Sequence, residues 1–280
     1  AHMTRFTILG ASGTIGRRLV AGLRAAGEDV FAPARGDDTL WREDLGQVVY
    51  GIGVTADFRT RPLETVEAHV GILRRLLAEA RFDRLVYLSS TRIYGGAASD
   101  DRPAREDMGL NVNPHSGSDL YNLSKLMGES LCLQGSRGRA CVARLSNVVG
   151  GEDADSENFI PSLLRDAATG RIHLRSALDS AKDYIHIDDV VPLLARMARG
   201  PATGIYNIAS GTRTTHAEWI DAITAATGAE VTVEPGAPRI LFPPIDITRI
   251  RAEFGADPRE AVRSLFTPVA RASSPAIASA

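Results

Sequence analysis

The chain of 280 residues is poor in cysteine and in long apolar runs. Its two cysteines, Cys132 and Cys141, fall on a predicted helix and a predicted strand without metal-like spacing. We therefore expect two reduced, packed thiols and no metal site, as is typical of cytoplasmic proteins. No apolar run approaches the roughly 20 residues that span a membrane, and no secretory signal precedes the first predicted strand.

An excess of charge of one sign is also lacking, since 32 basic and 34 acidic residues give a net charge of −2. This balance offers no case for a surface that binds nucleic acid or a membrane. Hydrophobic residues make up 44% of the chain, which is enough for a large core. We expect one large domain, alone or with a smaller lobe.

A glycine-rich turn follows the first predicted strand, residues 6–9, and leads into a segment with helical apolar spacing. The order of strand, glycine turn and helix is the context of a dinucleotide-binding loop, in which the helix N-terminus offers N–H groups to a pyrophosphate. The spacing is GxxGxxG rather than GxGxxG, and an ordinary strand-to-helix turn is the alternative. The predicted cofactor-binding residues of this loop are Gly10, Ser12, Gly13, Thr14, Ile15 and Gly16.

The residue after the second predicted strand bears on the choice of dinucleotide. An NAD site normally has Asp or Glu there to bind the ribose hydroxyls, and this chain has Arg35. With Arg17 or Arg18 opposite, Arg35 could bind a 2′-phosphate, which favours NADP while leaving NAD possible. In the alternative interpretation Arg35 is simply solvated, and Asp37 or Asp38 turns back to the ribose.

Short apolar segments alternate with helical patterns along the first half of the chain. Residues 47–54 and 85–88 are predicted strands, with a helix predicted over 62–80 between them. Residues 36–46 are too few for a further strand–helix pair, so this edge of the sheet should be trimmed. The alternation predicts an α/β fold with a doubly wound (Rossmann) parallel sheet. At the end of this sheet where ligands gather, Gly53 lets the backbone approach a cofactor closely.

Tyr121 and Lys125 lie one turn apart on a predicted helix, so the ammonium can lie near the phenol. Acid–base work near neutrality needs a tyrosine pKa of about 7 instead of about 10, and a nearby cation favours the lower value. Ser90, which follows the strand at 85–88, would hold a substrate carbonyl or alcohol. By itself the YxxxK spacing is common, and an exposed amphipathic helix is the competing interpretation.

Further motifs follow these in a fixed order. Together with the glycine loop they are SSxxIYG at 89–95, YxxxK at 121–125, RLSNVVG at 144–150, NFIP at 158–161, DYIHIDDV at 183–190, IYNI at 205–208 and DITR at 246–249. The set resembles the extended short-chain dehydrogenase/reductase family. Within that family it is similar to the nucleotide-sugar epimerase/dehydratase group, which includes UDP-galactose 4-epimerase.

The resemblance implies roles for the residues that match its motifs. Tyr121 would be the catalytic acid/base and would also contact the cofactor. Lys125 would be its partner and a ligand of the cofactor ribose. Ser90 falls at the catalytic serine/threonine position, with Ser89 and Thr91 as neighbours that have a lesser claim. Thr91 would also contact the substrate.

On the substrate side, the resemblance implies contacts with a nucleotide sugar. Asn147 and Asn158 would contact the sugar nucleotide. Lys182 stands where the family often has an arginine on the diphosphate, so the charge is kept but the planar bidentate contact is not. Arg239 and Arg249 are weaker candidates for the same diphosphate.

Two departures from the family pattern restrict the chemistry. Dehydratases of this group have Thr-Asp-Glu where this chain has Ser90-Thr91-Arg92, so the acid and base for water elimination are missing. A helix asparagine of the family is replaced by His69. This histidine would join a proton relay if it faces Lys125, and would otherwise serve structure alone.

The predicted elements and the resemblance together divide the chain. A dinucleotide-binding Rossmann domain is expected over 4–149, with 183–210 returning to it. A smaller, mostly helical substrate lobe is expected over 150–182 and 211–271, and residues 272–280 are expected to be a disordered tail.

Capping signals predict where helices begin in the second half of the chain. Asp188 and Asp189 read as an N-cap for the helix that follows them. Thr215 and Glu218 form a predicted capping box. Pro258 is predicted to lie in the first turn of the last helix, where its missing N–H has no cost.

The expected activity is reduction of a keto group on a nucleoside diphosphate sugar with NADP, by a cytoplasmic homodimer. Arg35 favours net reduction, because a self-regenerating epimerase more often keeps NAD bound. The alternatives are an NAD-dependent epimerase of such sugars, a reductase of a non-nucleotide carbonyl, and a non-enzymatic dinucleotide sensor on the same fold.

Overall fold

A six-stranded parallel sheet forms the centre of the molecule, with strand order β2-β1-β3-β4-β5-β9. The computed structural model describes residues 4–54, 57–97, 101–151, 156 and 158–266. Its strands are β1 (Arg5–Leu9), β2 (Asp29–Phe31), β3 (Gln47–Tyr50), β4 (Arg84–Ser90), β5 (Ala140–Leu145), β6 (Asn147–Val149), β7 (Arg171–Leu174), β8 (Ala181–His186), β9 (Gly204–Ile208), β10 (Arg213–Thr215) and β11 (Glu230–Val233).

Helices connect these strands. They are α1 (Thr14–Ala25), α2 (Pro62–Val66), α3 (Ile72–Glu79), α4 (Asp119–Gly135), α5 (Phe159–Ala168), α6 (Ile187–Arg199), α7 (His216–Thr227), α8 (Thr248–Phe254) and α9 (Ala261–Phe266). A π-helical turn, Glu67–Gly71, joins α2 to α3, so the helix predicted over 62–80 is continuous but locally widened. Two 3₁₀ helices cover Asp38–Trp41 and Thr91–Ala97.

Strands β1, β3, β4 and β5 are almost wholly buried because helices cover both faces of the sheet. On one face α1 packs against α6, and Leu19 and Leu194 are fully buried there. On the other face α3 and α4 contribute Leu73 and Cys132 to a second apolar cluster. The predicted doubly wound parallel sheet is therefore confirmed.

The edge of the sheet beyond β1 is short, as predicted. Its outermost strand, β2, has three residues and ends earlier than the sequence pattern suggests. The connection to β3 contains only the 3₁₀ helix, which Asp37 caps by accepting a hydrogen bond from the Thr39 amide at 2.9 Å. Strand β3 ends at Tyr50, so Gly51 and Gly53 lie in the loop beyond it.

Two small sheets and the helices α5, α7 and α9 form a second lobe in the second half of the chain, while α8 packs against β9 of the central sheet. Strands β10, β8 and β6 form a three-stranded sheet, and β7 pairs in parallel with β11. Of the segment 183–210, α6 and β9 pack onto the central sheet, whereas β8 belongs to the small one. Tyr184 and Trp219 meet edge to face at 5.1 Å in the core of this lobe.

The predicted starts of α7 and α9 can be compared directly with the structure. The Thr215 hydroxyl accepts from the Glu218 amide while the Glu218 carboxylate accepts from the Thr215 amide, which confirms the capping box. The last described helix begins at Ala261, three residues after Pro258, so its predicted start is wrong.

The predicted N-cap of α6 is also wrong. The helix begins directly after His186, whose imidazole accepts from the Asp188 amide at 3.2 Å. Asp188 and Asp189 therefore lie in the first turn, where their charges suit the helix dipole. Their carboxylates pair with Arg18 at 2.6 Å and with Arg259 at 2.9 Å, respectively.

Within the described ranges, no helix combines the length and the apolar character needed to cross a membrane. Cys132 and Cys141 are buried free thiols, as predicted. The predicted tail at 272–280, the end of the substrate lobe after 266 and the stretch 152–155 lie outside the described residues.

Candidate active site

A cavity of about 640 Å³ lies at the C-terminal ends of the central strands, beneath the second lobe. Most of the predicted site residues line it, namely Gly10, Gly13, Thr14, Ile15, Gly16, Gly53, Ser90, Thr91, Tyr121, Lys125, Asn147, Asn158 and Lys182. Residues from the glycine turn, from α4 and from the lobe therefore share one space. The predicted site residues that do not line it are Ser12, Arg35, Arg239 and Arg249.

The glycine turn packs so closely that side chains would not fit in it. A Cβ atom on Gly16 would lie 2.2 Å from the Gly10 carbonyl oxygen, and one on Gly10 would lie 2.5 Å from the Gly51 carbonyl oxygen. Gly10 also has a φ of +82°, which favours glycine. Gly13 caps α1 without a side-chain hydrogen bond, so backbone N–H groups of the first turn remain for an anionic ligand. This geometry fits a dinucleotide pyrophosphate.

Helix α4 carries Tyr121 and Lys125 on the face that packs against β4. The Lys125 ammonium donates to the Leu88 carbonyl oxygen at 2.8 Å and lies 5.9 Å from the centre of the Tyr121 ring. The phenol ring is 8% exposed and contacts the rings of Phe58, at 5.3 Å, and His69, at 5.1 Å. The two predicted catalytic side chains are thus adjacent and held in place by packing.

Burial sets the protonation of this pair. It raises the pKa of Tyr121, although a hydrogen bond with Ser90 and the charge of Arg92 oppose the rise. Burial also lowers the pKa of Lys125 to about 7, against the opposing effect of Glu129. Without ligands the phenol is therefore protonated near neutrality, which is the form that can donate a proton. The predicted meeting of Ser90, Tyr121 and Lys125 occurs in this structure.

A buried ion pair lies directly under the site. The Arg144 guanidinium contacts the Glu129 carboxylate through two hydrogen bonds of 3.0 Å and 2.7 Å, and both side chains are 3% exposed. Ser89, the neighbour of Ser90, donates to the same carboxylate at 2.6 Å, so its hydroxyl is engaged with this ion pair. Arg144 also donates to the Tyr94 hydroxyl at 2.7 Å. Sequence analysis missed Glu129, although it continues the Tyr121–Lys125 face by one more turn.

His69 lies on the π-helical turn and lines the cavity beside Lys125. Its Nδ1 atom is 2.8 Å from the Ser124 hydroxyl, which itself donates to the Tyr121 carbonyl oxygen at 2.9 Å. Nδ1 must therefore carry the proton, and Nε2 is left as a buried acceptor without a partner in the described residues. A Cβ atom on Gly53 would lie 3.2 Å from Nε2 and 3.8 Å from the Lys125 Nζ atom. The histidine thus faces the lysine across Gly53, and its part in a proton relay stays a prediction.

Three of the residues predicted for the substrate, Lys182, Asn147 and Asn158, lie on the lobe side of the cavity. Lys182 places its ammonium 5.4 Å from the Phe242 ring, and burial lowers its pKa. Asn147 donates from its amide to the Asp183 carbonyl oxygen at 2.8 Å, while Asn158 precedes α5 with its side chain exposed. This part of the cavity therefore offers one ammonium and two amides to a ligand.

Two predicted diphosphate ligands are placed elsewhere. Arg239 pairs with Asp179 at 2.8 Å on the surface. Arg249 stacks over the Tyr206 ring at 4.0 Å and donates to the carbonyl oxygens of Thr203 and Ile205. Their assignment to the substrate is corrected here, because neither side chain lines the cavity.

The cofactor-selecting region beyond β2 is open to solvent. Arg35 is exposed and makes no hydrogen bond or ion pair to any residue within the described ranges. Ser12 is also exposed, and its carbonyl oxygen accepts from Arg17 at 2.6 Å. Arg18 pairs with an aspartate of α6 instead of facing Arg35. Asp37 is engaged in its cap, whereas Arg35 and Asp38 are both exposed to solvent.

Arg92 is a further cavity residue to which the sequence analysis gave no binding role. Its guanidinium carbon lies 5.3 Å from the Phe58 ring and 5.8 Å from the Tyr121 ring. The sequence marks Arg92 in one way, because it lies in Ser90-Thr91-Arg92, which departs from the Thr-Asp-Glu of the dehydratases.

In the described part of the chain, no group of three His, Cys, Asp or Glu side chains is arranged to bind a metal ion.

Known proteins with similar sequences and structures were compared with this chain. The family model described as "NAD dependent epimerase/dehydratase family" matches residues 46–209. GDP-6-deoxy-D-mannose reductase of Pseudomonas aeruginosa is 30% identical over 235 residues, which cover 74% of this chain and 75% of that protein.

Two further matches extend over nearly the whole chain. dTDP-6-deoxy-L-talose 4-dehydrogenase (NAD(P)(+)) of Kitasatospora kifunensis is 26% identical over an alignment 307 residues long, gaps included. The alignment covers 94% of this chain and 95% of that protein. Among solved structures, MoeE5 in complex with UDP-glucose and NAD has a TM-score of 0.76 at 23% identity, covering 93% of this chain and 95% of that one. The likeness to MoeE5 shows the shared fold.

Proposed function

Since the chain belongs to the NAD dependent epimerase/dehydratase family, we propose that it reduces a keto group on a nucleoside diphosphate sugar. The chain is an enzyme, and the cofactor of its family is NAD or NADP. The observation that carries the proposal is the buried Tyr121 phenol, which shares the cavity with Ser90 and lies beside Lys125, whose ammonium is 5.9 Å from the centre of the ring. Two relatives are named as a reductase and as a dehydrogenase of deoxy-sugar nucleotides, which supports a redox reaction on such a sugar, and the first name supports reduction.

In the proposed reaction, each of the cavity residues has a separate role. The glycine turn would bind the pyrophosphate of the dinucleotide, whose nicotinamide would supply hydride to the carbonyl carbon. Ser90 would hold the carbonyl oxygen by a hydrogen bond, and Tyr121 would donate the proton to it. The Lys125 ammonium would stabilise the phenolate that remains. Lys182 would bind the diphosphate, with Asn147 and Asn158 beside it.

An epimerase of the same sugars is the second candidate, because its first half-reaction needs the same three residues. The exposed Arg35 after β2 favours the reductase, since it suits the 2′-phosphate of an exchangeable NADP. Mass spectrometry of the cofactor that copurifies would separate the two. Tightly held NAD would favour the epimerase.

The nucleotide part of the proposal has its own test. Thermal unfolding is measured with UDP, dTDP or GDP in the presence of NADP⁺. We expect one of them to raise Tm by a few degrees, because a ligand that binds only the folded state stabilises it. If none does, a reductase of non-nucleotide carbonyls becomes the better interpretation.

Cofactor preference is expected to depend on Arg35. The Arg35→Asp variant should shift the ratio of kcat/KM for NADPH to that for NADH about 10-fold to 100-fold toward NADH, because a carboxylate repels the 2′-phosphate and accepts from ribose hydroxyls. The ratio is measured by steady-state kinetics with both cofactors. Arg42→Asp, an exposed arginine beyond the 3₁₀ helix, is the control. An unchanged ratio in Arg35→Asp would remove this residue from the site.

We also propose that the substrate binds between the Rossmann part and the lobe formed by 150–182 and 211–266.

We further propose that the protein is a cytoplasmic homodimer. Helices α2 and α4 contact each other and expose large apolar side chains. Leu63 is 81% exposed and Met127 is 54% exposed, and both would be covered by a second copy of the same helix pair.

The dimer is tested at Met127. Met127→Glu should convert the protein from the mass of two chains to that of one, because it would place a charge in an apolar interface. Size-exclusion chromatography with light scattering gives the mass. Leu178→Glu is the matched control, since Leu178 is 41% exposed and lies outside this helix pair. A wild-type protein with the mass of one chain would contradict the proposal.

A further inference from the structure

Arg92 is a half-buried cation in the cavity, and it is paired with no carboxylate of the described residues. Its side chain makes no hydrogen bond or ion pair with any residue in the described ranges, and its Nε atom is fully shielded from solvent. The guanidinium instead lies near the rings of Phe58 and Tyr121. Burying a guanidinium without an acceptor is costly, so this position favours a ligand that supplies one.

Asp119, whose charge acts on Arg92, and Asp183, which lines the cavity, are both already engaged. Asp119 accepts from the Asn122 side-chain amide at 2.7 Å and from the Asn113 backbone amide at 2.9 Å. Asp183 accepts from two backbone amides and one hydroxyl of the turn at residues 210–211. Neither is paired with Arg92.

The other charges that face Arg92 are positive. Arg59 and the buried surroundings hold the pKa of the Arg92 guanidinium below its usual value, and the charge of Arg92 in turn helps to lower the pKa of Lys182. Arg59 itself donates to Ser118 at 2.9 Å. Besides Lys125, the cavity thus contains two half-buried cations, Arg92 and Lys182, and neither is paired with a carboxylate among the described residues.

The two cations serve different parts of the cavity. Lys182 lies near Phe242 and near His216, whose pKa it helps to lower, on the side of the lobe. Arg92 follows Ser90 by two residues and lies against Tyr121, so it faces the reacting end of a bound substrate. A diphosphate at Lys182 would leave Arg92 free for a second anionic group.

We propose that Arg92 binds a carboxylate on the reacting sugar, so that the substrate is a nucleoside diphosphate sugar of the uronic acid class. The inference rests on the proposed function for the diphosphate site at Lys182. A guanidinium presents two parallel N–H donors that match a carboxylate, which a neutral hydroxymethyl or methyl group at the same sugar carbon does not. The Phe58 and Tyr121 rings lie within 5.3 Å and 5.8 Å of the guanidinium carbon, distances at which a cation is attracted to an aromatic ring.

The test compares matched ligands on the protein with NADP⁺ present. For each base, equilibrium binding is measured for the nucleoside diphosphate, a neutral sugar conjugate and the corresponding uronate: UDP, UDP-glucose and UDP-glucuronate; GDP, GDP-mannose and GDP-mannuronate; dTDP, dTDP-glucose and dTDP-glucuronate. For the base that binds, we expect the uronate to bind about 10-fold to 100-fold tighter than the neutral conjugate, as a charge-assisted contact would give.

Two variants separate the roles of the cations. Arg92→Gln should bring the affinities for the uronate and the neutral sugar within about 2-fold of each other and leave the affinity for the bare diphosphate unchanged. Lys182→Gln should weaken all three ligands by a similar factor and preserve the preference for the uronate. Stabilisation by NADP⁺ in thermal unfolding shows that each variant is folded.

Three results would overturn the inference. The first is a wild-type protein that binds the neutral conjugate as tightly as the uronate. The second is an Arg92→Gln variant that loses affinity for the bare diphosphate as well, which would make Arg92 a second diphosphate ligand. If no nucleoside diphosphate binds to the wild type, the proposed function fails together with the inference; if one binds without a preference for the uronate, only the inference fails.

Discussion

Replacing Tyr121 with phenylalanine is expected to lower kcat about 100-fold to 10,000-fold, the range that proton transfer from a positioned side chain contributes. The substitution removes only the hydroxyl group. The ring contacts with Phe58 and His69 remain, so the cavity should keep its shape. Cofactor affinity should stay within about 3-fold, because the glycine turn that would bind the pyrophosphate is unchanged.

The measurement is the rate of NADPH oxidation with a keto-sugar nucleotide, together with a separate titration of NADPH by fluorescence. Tyr206→Phe is the matched control, because it removes a hydroxyl from a tyrosine that contacts Glu253 and does not line the cavity. That variant should keep kcat within about 2-fold. Full turnover by the Tyr121 variant would reject the proposed acid.

The parts of the site that could be predicted from sequence are those encoded locally. The glycine turn is one, because its spacing follows from backbone contacts within and next to it, such as the approach of Gly16 to the Gly10 carbonyl. The Tyr121–Lys125 pair is another, since one helical turn places both on one face. Ser90 follows from the end of a buried parallel strand. In each case a few neighbouring residues determine the geometry.

The parts that could not be predicted depend on contacts between distant segments. Arg239 and Arg249 were candidates by type, but a side chain's partner cannot be read from its own motif, and both are engaged outside the cavity. The partner of β8 is another case, because its apolar pattern suits either sheet. The cap of α6 was misplaced because three residues that can accept from backbone amides, His186, Asp188 and Asp189, lie within four positions.

Arg92 shows the same limit at the site itself. The sequence marks it as a departure from the dehydratase pattern, but not whether its side chain enters the cavity. The following 3₁₀ helix (Thr91–Ala97) and the Phe58 ring direct the guanidinium toward Tyr121. Arg92, which stands where the dehydratases have a glutamate, is therefore a candidate to bind an anionic group of the substrate.

The buried pair of Glu129 and Arg144 is expected to have the largest effect on stability. Glu129→Leu should lower the free energy of unfolding by about 3–5 kcal/mol, because it leaves the Arg144 guanidinium buried without its counter-ion and the two hydrogen bonds to that carboxylate. Ser89 would also lose its acceptor. Urea unfolding followed by circular dichroism at pH 7 gives the value.

A surface pair provides the control for this prediction. Arg75 and Glu79 form an exposed pair one helical turn apart, so Glu79→Leu should change the free energy of unfolding by less than about 1 kcal/mol. The double variant Glu129→Leu, Arg144→Met should recover part of the loss, because it removes the uncompensated charge and refills the space with apolar atoms. A loss below about 1 kcal/mol in Glu129→Leu would mean that the pair does not stabilise the fold.

Glu129→Leu should also reduce kcat. The Glu129 charge raises the pKa of Lys125 and so favours its ammonium form, which would stabilise the Tyr121 phenolate.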